Sequence, residues 1–368
     1  MMMPLPTFHT ARSQPAVALE PLASWPDSPQ SLPAGRYLVR VPVARLLSDH
    51  DLSLAIHIVR GEAPGPTLGL MAGIHGDETP GVRILQQLLA GINPADLTGT
   101  IIAVPVANPL AWAAQQRATP EIDVDHNNLA RVFHNTDAVV PAFDSVARRL
   151  AATLERTFFP AISHFIDFHC YGRDTAARLM LYRTSQAPSI VATSAEMARL
   201  FGLGVIQGVS GGQGTTSAMS AKLGIPTIVA EFGATRCHIT AEQAFVQEGV
   251  AGTQRVMAHL GMINAAPAGP TQQLVVEKVT RITPGTSGYF LPTFDLEDLY
   301  TPAHHQGIEI TAGQSLGYLF DTYTLQPLED LAAPHDGRLI ILFRAGPYNV
   351  GSRHLALATG TLTTTESM

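Results

Sequence analysis

Four side chains suited to metal binding or proton transfer lie where apolar stretches of the sequence end. The run Leu68-Gly-Leu-Met-Ala-Gly-Ile stops at His75 and Glu78, which lie three residues apart in a glycine-containing loop. A second run ends in Asp167-Phe-His169, and a third ends at Glu231. Each run has the composition of a buried strand, so these side chains are predicted at the carboxyl ends of strands.

The carboxyl ends of strands in an open α/β sheet are where ligands bind, so one site can collect all four side chains. A catalytic zinc ion uses three protein ligands and leaves a position for water, and two histidines with one glutamate form an established set. We therefore assign one zinc ion per chain to His75, Glu78 and His169. Glu231 is left as the general base, which takes a proton from water at the metal as that water attacks a carbonyl carbon. Asp167 either orients His169 or forms a structural salt bridge.

The elements that must position these residues alternate between strands and helices over residues 35–264. Such alternation predicts an α/β fold with a mixed, mostly parallel sheet covered by helices on both faces. Residues 1–34 are rich in Pro, Ser and Ala and are predicted to form a loosely ordered leader. Over residues 270–368, short apolar runs broken by Gly and Pro predict a separate C-terminal all-β domain. Helices are predicted over 82–89, 143–158, 189–203, 215–223 and 240–259, and strands over 37–43, 52–59, 68–73, 99–107, 161–170, 205–209 and 226–233.

Composition limits the partners and the compartment. Apolar residues make up 46% of the 368 residues, charged residues make up 14%, and the net charge is −7 without a basic run. This argues against nucleic acid and favours a small polar metabolite. Two cysteines indicate a reducing compartment, and the first ten residues resemble neither a signal peptide nor a membrane anchor. We therefore predict a cytoplasmic protein without a membrane partner.

A rival motif, Gly208-Val-Ser210-Gly-Gly212, fits the Gly-x-Ser-x-Gly nucleophile elbow of serine hydrolases. The elbow is tight, whereas here further glycines up to Gly214 prolong the loop before any helical pattern begins. A glycine-rich loop near the site entrance is therefore favoured. Cys170 points away from His169 if both lie on one strand, so it is predicted to pack in the core. The histidines and aspartates that a serine hydrolase would draw on are His238, His304, His335, Asp295 and Asp321.

Four motifs in this order resemble the signature of the succinylglutamate desuccinylase/aspartoacylase family. They are Gly73-Ile-His75-Gly-Asp-Glu78, Asn128-Leu-Ala-Arg131-Val-Phe133, Asp167-Phe-His169 and Ala230-Glu231-Phe-Gly233. The resemblance covers the chain from about residue 65 to its C-terminus. It implies a zinc carboxypeptidase-like domain followed by a barrel-sandwich β domain, hydrolysis of N-acyl amino acids, and the same zinc ligands and acid/base residue.

The resemblance also implies roles for two arginines and exposes a departure from the family pattern. Arg117 and Arg131 match arginines that grip the substrate and the polarised carbonyl, which suits a guanidinium that binds carboxylates and oxyanions. Ala130 stands where the family has Asn, so one hydrogen bond to the substrate is lost. Asn127 or Asn128 can replace it, and Asn128 is the predicted substrate-binding residue.

We therefore predict a zinc-dependent hydrolase that cleaves the amide bond of an N-acyl amino acid or a related N-acylated amine. Two alternatives use the same metal centre: a metallocarboxypeptidase acting on a peptide or cell-wall fragment, and a non-catalytic metal-binding homologue, which Ala130 favours. The expected partner is a small molecule. A homo-oligomer and the role of the β domain are left open by the pattern.

Overall fold

The computed structural model describes residues 18–121, 127–133, 144–171, 175–176, 178–233, 235, 239–295, 304–342, 344–351 and 355–364. The helices are α1 Thr79–Gly91, α2 Pro109–Ala114, α3 Val146–Ala161, α4 Pro188–Phe201, α5 Thr216–Lys222 and α6 Ile239–His259. The strands are β1 Leu19–Leu22, β2 Gly35–Arg45, β3 Asp51–Arg60, β4 Ala63–Met71, β5 Thr98–Val104, β6 His164–His169, β7 Thr175–Ala176, β8 Leu179–Arg183, β9 Val205–Val209, β10 Thr227–Glu231, β11 Gln272–Ile282, β12 Gly288–Pro292, β13 Ile308–Ile310, β14 Ser315–Phe320, β15 Pro327–Ala332, β16 Gly337–Leu342, β17 Gly346–Tyr348 and β18 Leu355–Thr364.

A large mixed sheet forms the centre of the molecule and brings the predicted site together. Its order is β1-β2-β3-β5-β4-β6-β10-β8-β9-β11-β18-β16-β13, and β7 pairs with β16. Strands β4, β6 and β10 lie side by side and run parallel. Because parallel strands end at the same edge of a sheet, the residues that follow them become neighbours. The predicted mixed sheet with helices is therefore confirmed.

Helices cover both faces of this sheet. On one face, apolar residues of α1, α4 and α6 pack with the sheet in one buried cluster. On the other face, α3 and α5 pack on β2, β3 and the neighbouring strands. Leu150, Leu154 and Phe158 of α3 are fully buried there, as their helical spacing predicted. None of the helices in the described ranges is long and apolar enough to cross a membrane.

The sheet continues past the predicted end of the catalytic region. Strand β11 pairs in parallel with β9 and antiparallel with β18, so C-terminal strands extend the main sheet. The expected separate all-β domain therefore shares a sheet with the preceding residues, because β11 covers the edge that β9 would expose. A second sheet of order β15-β14-β12-β17 packs against these strands around a third apolar cluster. The barrel-sandwich architecture of this region stays a prediction.

The beginning of the chain also differs from expectation. Strand β1 lies within the predicted leader and pairs in parallel with β2. A 3-10 helix at Pro29–Ser31 follows, and Gln30 donates from its amide to the carbonyl of Ala161 over 2.6 Å. The second half of the predicted leader is therefore part of the folded structure, and residues 1–17 lie outside the described ranges.

The predicted helices and strands of residues 35–264 are all present. The elements that were not predicted include helix α2 and strands β7 and β8. Helix α2 lies between β5 and α3, where no element was predicted, and Asn108 caps it by accepting a hydrogen bond from the amide of Ala111 over 3.1 Å. Strand β8 was overlooked because Leu179–Arg183 is short. It pairs antiparallel with β10, so its first residue, Leu179, lies opposite Glu231, whereas its last residue, Arg183, lies at the other end of the pair.

Candidate active site

The loop between β4 and α1 holds two of the predicted metal ligands. Gly76 packs against the backbone of α2. A Cβ atom added to Gly76 would lie 1.9 Å from the carbonyl of Ala111. Only glycine allows this approach. The amide of Gly76 also donates to the carbonyl of Gln116 over 2.8 Å, which anchors the loop. Helix α1 begins directly after Glu78, with Pro80 in its first turn, so the position of Glu78 is fixed from both sides.

The structure brings the three predicted metal ligands together. Nδ1 of His75 lies 2.8 Å from Oε1 of Glu78, and Nδ1 of His169 lies 3.0 Å from Oε2 of the same carboxylate. The candidate ligand atoms of the three residues all lie within 4.8 Å of one another, in a largely buried position. Two imidazole nitrogens and a carboxylate oxygen converge there, which is the donor set of a catalytic zinc site.

The outer nitrogen of each imidazole has its own partner. Nε2 of His75 lies 3.2 Å from Oδ1 of Asn128, and Nε2 of His169 lies 3.1 Å from Oδ2 of Asp167. Thr216 donates in turn to Oδ2 of Asp167 over 2.5 Å. Each contact suits a tautomer that carries its proton on Nε2 and presents Nδ1 to the cluster. The orienting role considered for Asp167 is therefore supported by contact.

These contacts also change how Asn128 is interpreted. Its Oδ1 accepts from the amide of Ala130 over 3.0 Å as well as facing His75, so it caps the 3-10 helix Leu129–Arg131 and orients a candidate ligand. Both interactions use its side-chain oxygen, and substrate binding by Asn128 stays a prediction. Ala130 is 4% exposed and belongs to a buried apolar cluster.

The charges of the cluster are tightly coupled. Glu78 also accepts from the amide of Cys170 over 2.9 Å and from Nη1 of Arg117 over 3.0 Å. Burial opposes ionisation, but His75 and His169 hold the pKa of Glu78 well below its usual range. Burial lowers the pKa of His75. Burial acts in the same direction on His169, where Asp167 and Glu78 outweigh it and raise the pKa well above the ordinary value.

Glu231 ends β10 directly beside the cluster. It lies opposite His169 in the register of the parallel pair β10 and β6. Its Oε2 is buried and has no hydrogen-bond partner in the part of the chain that the structure describes. Burial raises the pKa of Glu231 to about 7, an effect that His169 opposes and Glu78 reinforces. A carboxyl with this pKa exchanges protons near neutral pH, which suits a general base.

The two predicted substrate arginines lie on the same cavity. Arg117 is 45% exposed and bonds Glu78, so it reaches the cluster from the solvent side. Arg131 donates to the carbonyl of Ala130 over 2.8 Å, and burial lowers its pKa, with a further contribution from Arg117. Gly214 has a φ of +71° and packs on the backbone of Arg131. Because glycine has no Cβ, the carbonyl of Arg131 fits beside it.

A cavity of about 1390 Å³ opens over the cluster. It is lined by residues from both parts of the chain, including Glu231 from β10, Arg183 from β8, and Arg344 and Tyr348 from the C-terminal region. Sequence reasoning missed the last three. Arg183 ends a short apolar run, which is a weak indication of a strand end at the site. The local sequence of residues 344–348 gives no sign that they approach residues more than 100 positions earlier in the chain.

The comparisons with known proteins agree with this geometry. The catalytic-domain profile of the succinylglutamate desuccinylase/aspartoacylase family matches residues 64–260. The chain belongs to this family. A curated relative, the N-alpha-acetyl-L-2,4-diaminobutyric acid deacetylase of Halomonas elongata, is 34% identical over 116 residues, which are 32% of this chain and 31% of that enzyme. The match thus spans about a third of the length of that relative.

Solved structures show that this family member shares its fold beyond the matched residues. The product-bound ectoine utilization protein EutE (DoeB) of Ruegeria pomeroyi has a TM-score of 0.75 at 20% identity, covering 90% of this chain and 98% of that chain. The succinylglutamate desuccinylase/aspartoacylase of Rhodobacter sphaeroides has a TM-score of 0.74 at 21% identity, covering 89% and 97%. The C-terminal strands are therefore part of a fold found in these proteins.

The rival serine motif has no support in the described structure of this family member. Ser210 lies in an exposed loop, where its carbonyl accepts hydrogen bonds from Ser185 over 3.0 Å and Arg183 over 3.4 Å. Of the nominated partners, His335 contacts Thr280, and Asp321 caps its own turn. Cys170 is buried in the apolar core, as predicted. His238, another of the nominated partners, and Arg236, which follows Glu231 closely in the sequence, lie outside the described ranges.

Proposed function

We propose that the protein is a zinc-dependent hydrolase that cleaves the amide bond of an N-acyl amino acid or a related N-acylated amine. The observation that carries the proposal is the convergence of His75, Glu78 and His169 beside the buried carboxyl of Glu231, on the wall of a cavity. Membership of a family of deacylases favours this reaction class over others that use the same metal centre.

The residues present fit a zinc ion. Two imidazoles, which bind zinc in their neutral form, and one ionised carboxylate, each with an outer hydrogen-bond partner, match the ligand set and the support that catalytic zinc sites use. We propose His75, Glu78 and His169 as the ligands, with one ion per chain. Zinc, when bound, supplies Lewis-acid polarisation of the water and of the scissile carbonyl.

The side chains around this position can perform the remaining steps. Glu231 takes the proton of the attacking water and returns it to the leaving amine, so one carboxyl serves as base and then as acid. Arg117, which faces the cluster through its bond to Glu78, stabilises the negative charge that develops on the carbonyl oxygen. Arg131 holds a carboxylate of the substrate, because its guanidinium lines the cavity.

The substrate is proposed to be a small molecule of the kind named for the curated relative, an N-acetylated amino acid. Nothing basic enough for nucleic acid appears in a chain with a net charge of −7. A cytoplasmic location, a homo-oligomer and the division into a catalytic region over residues 35–264 and a C-terminal β region over 270–368 stay predictions.

Metal analysis followed by a substrate panel tests the proposal. The purified protein should contain about one zinc per chain, lose activity with a chelator and regain it with zinc. N-acetyl and N-succinyl amino acids, including N-acetyl-2,4-diaminobutyrate, should be cleaved in preference to dipeptides. Cleavage of peptides alone would identify a metallocarboxypeptidase. Zinc binding without turnover of any compound would identify a non-catalytic homologue.

A matched pair of variants tests the role of Glu231. Glu231→Gln should retain zinc and lose turnover, since glutamine keeps the shape of the side chain and cannot accept the proton. Glu196→Gln is the control, because Glu196 lies outside the cavity and pairs with Arg199. Full activity of Glu231→Gln would overturn the assignment of the base.

A further inference from the structure

Most of the arginines on the cavity wall form no ion pair within the described residues. Four arginines line it, namely Arg117, Arg131, Arg183 and Arg344. Within the described residues, only Arg117 forms an ion pair, and its partner is Glu78. The other three donate to neutral oxygens: Arg131 to the carbonyl of Ala130, Arg183 to carbonyls of the glycine-rich loop, and Arg344 to the carbonyl of Thr235.

Arg344 is held in place by its backbone. It lies between β16 and β17, and β17 is anchored by antiparallel pairing with β12. The hydroxyl of Tyr348 donates to the carbonyl of Arg344 over 2.9 Å, and the ring of Tyr348 packs edge-on against Phe290 with 6.3 Å between ring centroids. The second sheet thus fixes the point from which the guanidinium of Arg344 enters the cavity wall.

The guanidinium itself is poorly satisfied by the protein. Its Nε is buried and has no hydrogen-bond partner among the described residues. Its Nη2 reaches the carbonyl of Thr235 over a long 3.4 Å. The carboxylates on the same wall, Asp77, Asp167 and Glu231, form no ion pair with it in the described ranges. A partly buried cation in this state is stabilised strongly by an anion that enters the cavity.

We infer that Arg344 is a specificity-determining residue that binds an anionic group of the substrate, separate from the carboxylate proposed for Arg131. This inference rests on the proposed function. The planar guanidinium of arginine binds a carboxylate through two hydrogen bonds. An exposed arginine that already pairs with a protein carboxylate would not offer both of them. Two sources supply this chemistry in an N-acyl amino acid: an acidic side chain on the amino acid, or a free carboxylate on a dicarboxylic acyl group.

Three substrates separate these sources. N-acetylaspartate carries the second carboxylate on the amino acid, N-succinylalanine carries it on the acyl group, and N-acetylalanine lacks it. Arg344→Gln should lower kcat/KM for one of the two dicarboxylates by about 10- to 150-fold, mainly through KM. It should leave N-acetylalanine within about twofold. The compound that suffers the loss identifies the source of the anionic group.

The control is Arg338→Gln, because Arg338 lies on β16, pairs with Glu309 and is outside the cavity lining. It should leave all three substrates unchanged. Arg344→Lys keeps the charge without the fork and should fall between the native protein and Arg344→Gln. Equal losses for all three substrates, or no loss for either dicarboxylate, would overturn the role of Arg344.

A binding measurement keeps the inference testable apart from the proposed reaction. Titration calorimetry with succinate and acetate needs no turnover, so it applies even if the native protein cleaves none of the compounds. Succinate should bind the zinc-loaded native protein more tightly than acetate, and Arg344→Gln should reduce that preference to the part that Arg131 supplies. An inactive native protein with this preference would overturn only the proposed reaction, whereas an unchanged preference in Arg344→Gln would overturn only the anion site.

Discussion

The carboxyl of Glu231 should make the folded protein less stable than it would be without a charge at that position. Oε2 of Glu231 is buried without a hydrogen-bond partner in the described structure, and burial raises the pKa of the group to about 7 from an ordinary value of 4.5. The folded state therefore disfavours the carboxylate form. Replacing Glu231 with Gln removes the charge while keeping the size of the side chain.

The magnitude follows from the two pKa values. A tenfold change in proton affinity corresponds to about 1.4 kcal/mol, so the difference between 4.5 and 7 corresponds to roughly 3 kcal/mol. Between these pH values the folded carboxyl keeps its proton and the unfolded one loses it. The contribution of Glu231 to stability therefore falls as pH rises through this window. Glu231→Gln should gain up to about 3 kcal/mol over the native protein at pH 8 and almost nothing at pH 4.5.

Urea unfolding of the metal-free proteins between pH 4.5 and 8 measures this difference. Other ionisable groups are common to both proteins, so they cancel in the comparison. Glu196→Gln is a control of opposite sign, because a hydrogen bond from Arg199 lowers the pKa of Glu196 and its carboxylate favours folding. The raised pKa of the buried Glu231 carboxyl would be refuted if Glu231→Gln were less stable than the native protein at pH 8. It would also be refuted if the difference in the free energy of unfolding did not change with pH.

Three further predictions concern the ligands and the core. Asn128→Ala removes the acceptor for Nε2 of His75 and should weaken zinc binding about 10- to 100-fold in competition with a chelating dye; unchanged affinity would contradict the orienting role. Burial lowers the pKa of His169, but two carboxylates outweigh burial and raise it, so zinc must displace a proton from His169. The apparent affinity for zinc should therefore fall as pH falls, and an affinity that does not change from pH 8 to 5 would disprove this. Phe158→Ala should cost about 3–5 kcal/mol in urea unfolding, since the ring is fully buried edge-on to Phe165; a loss below about 1 kcal/mol would show that the site collapses.

The convergence of His75, Glu78 and His169 was predictable because its sequence signals are local. His75 and Glu78 lie in one loop, and His169 and Glu231 each end an apolar run that the sequence shows plainly. The carboxyl ends of parallel strands meet at one edge of a sheet, so these side chains were predicted to lie together. The parallel pairing of β4, β6 and β10 confirms this.

The features that were missed depend on contacts between distant parts of the chain. The contacts of the Asn128 oxygen with His75 and with a backbone amide were not predicted, and substrate binding by Asn128 stays a prediction. Arg344 follows an ordinary apolar strand, and only the docking of the second sheet places it on the cavity. The pairing of β11 with β9 was equally hidden, since hydrophobic alternation shows that a strand forms and does not show its neighbour.

That pairing means that the catalytic half and the β half do not separate cleanly. A protein cut after residue 264 would lose β11 and expose unpaired amides and carbonyls along β9. Such an exposed edge strand promotes aggregation. It would also lose the arginine and tyrosine that close one side of the cavity. Exchanging C-terminal halves between relatives would therefore alter substrate choice and sheet closure in a single step, so these two properties are constrained to evolve together.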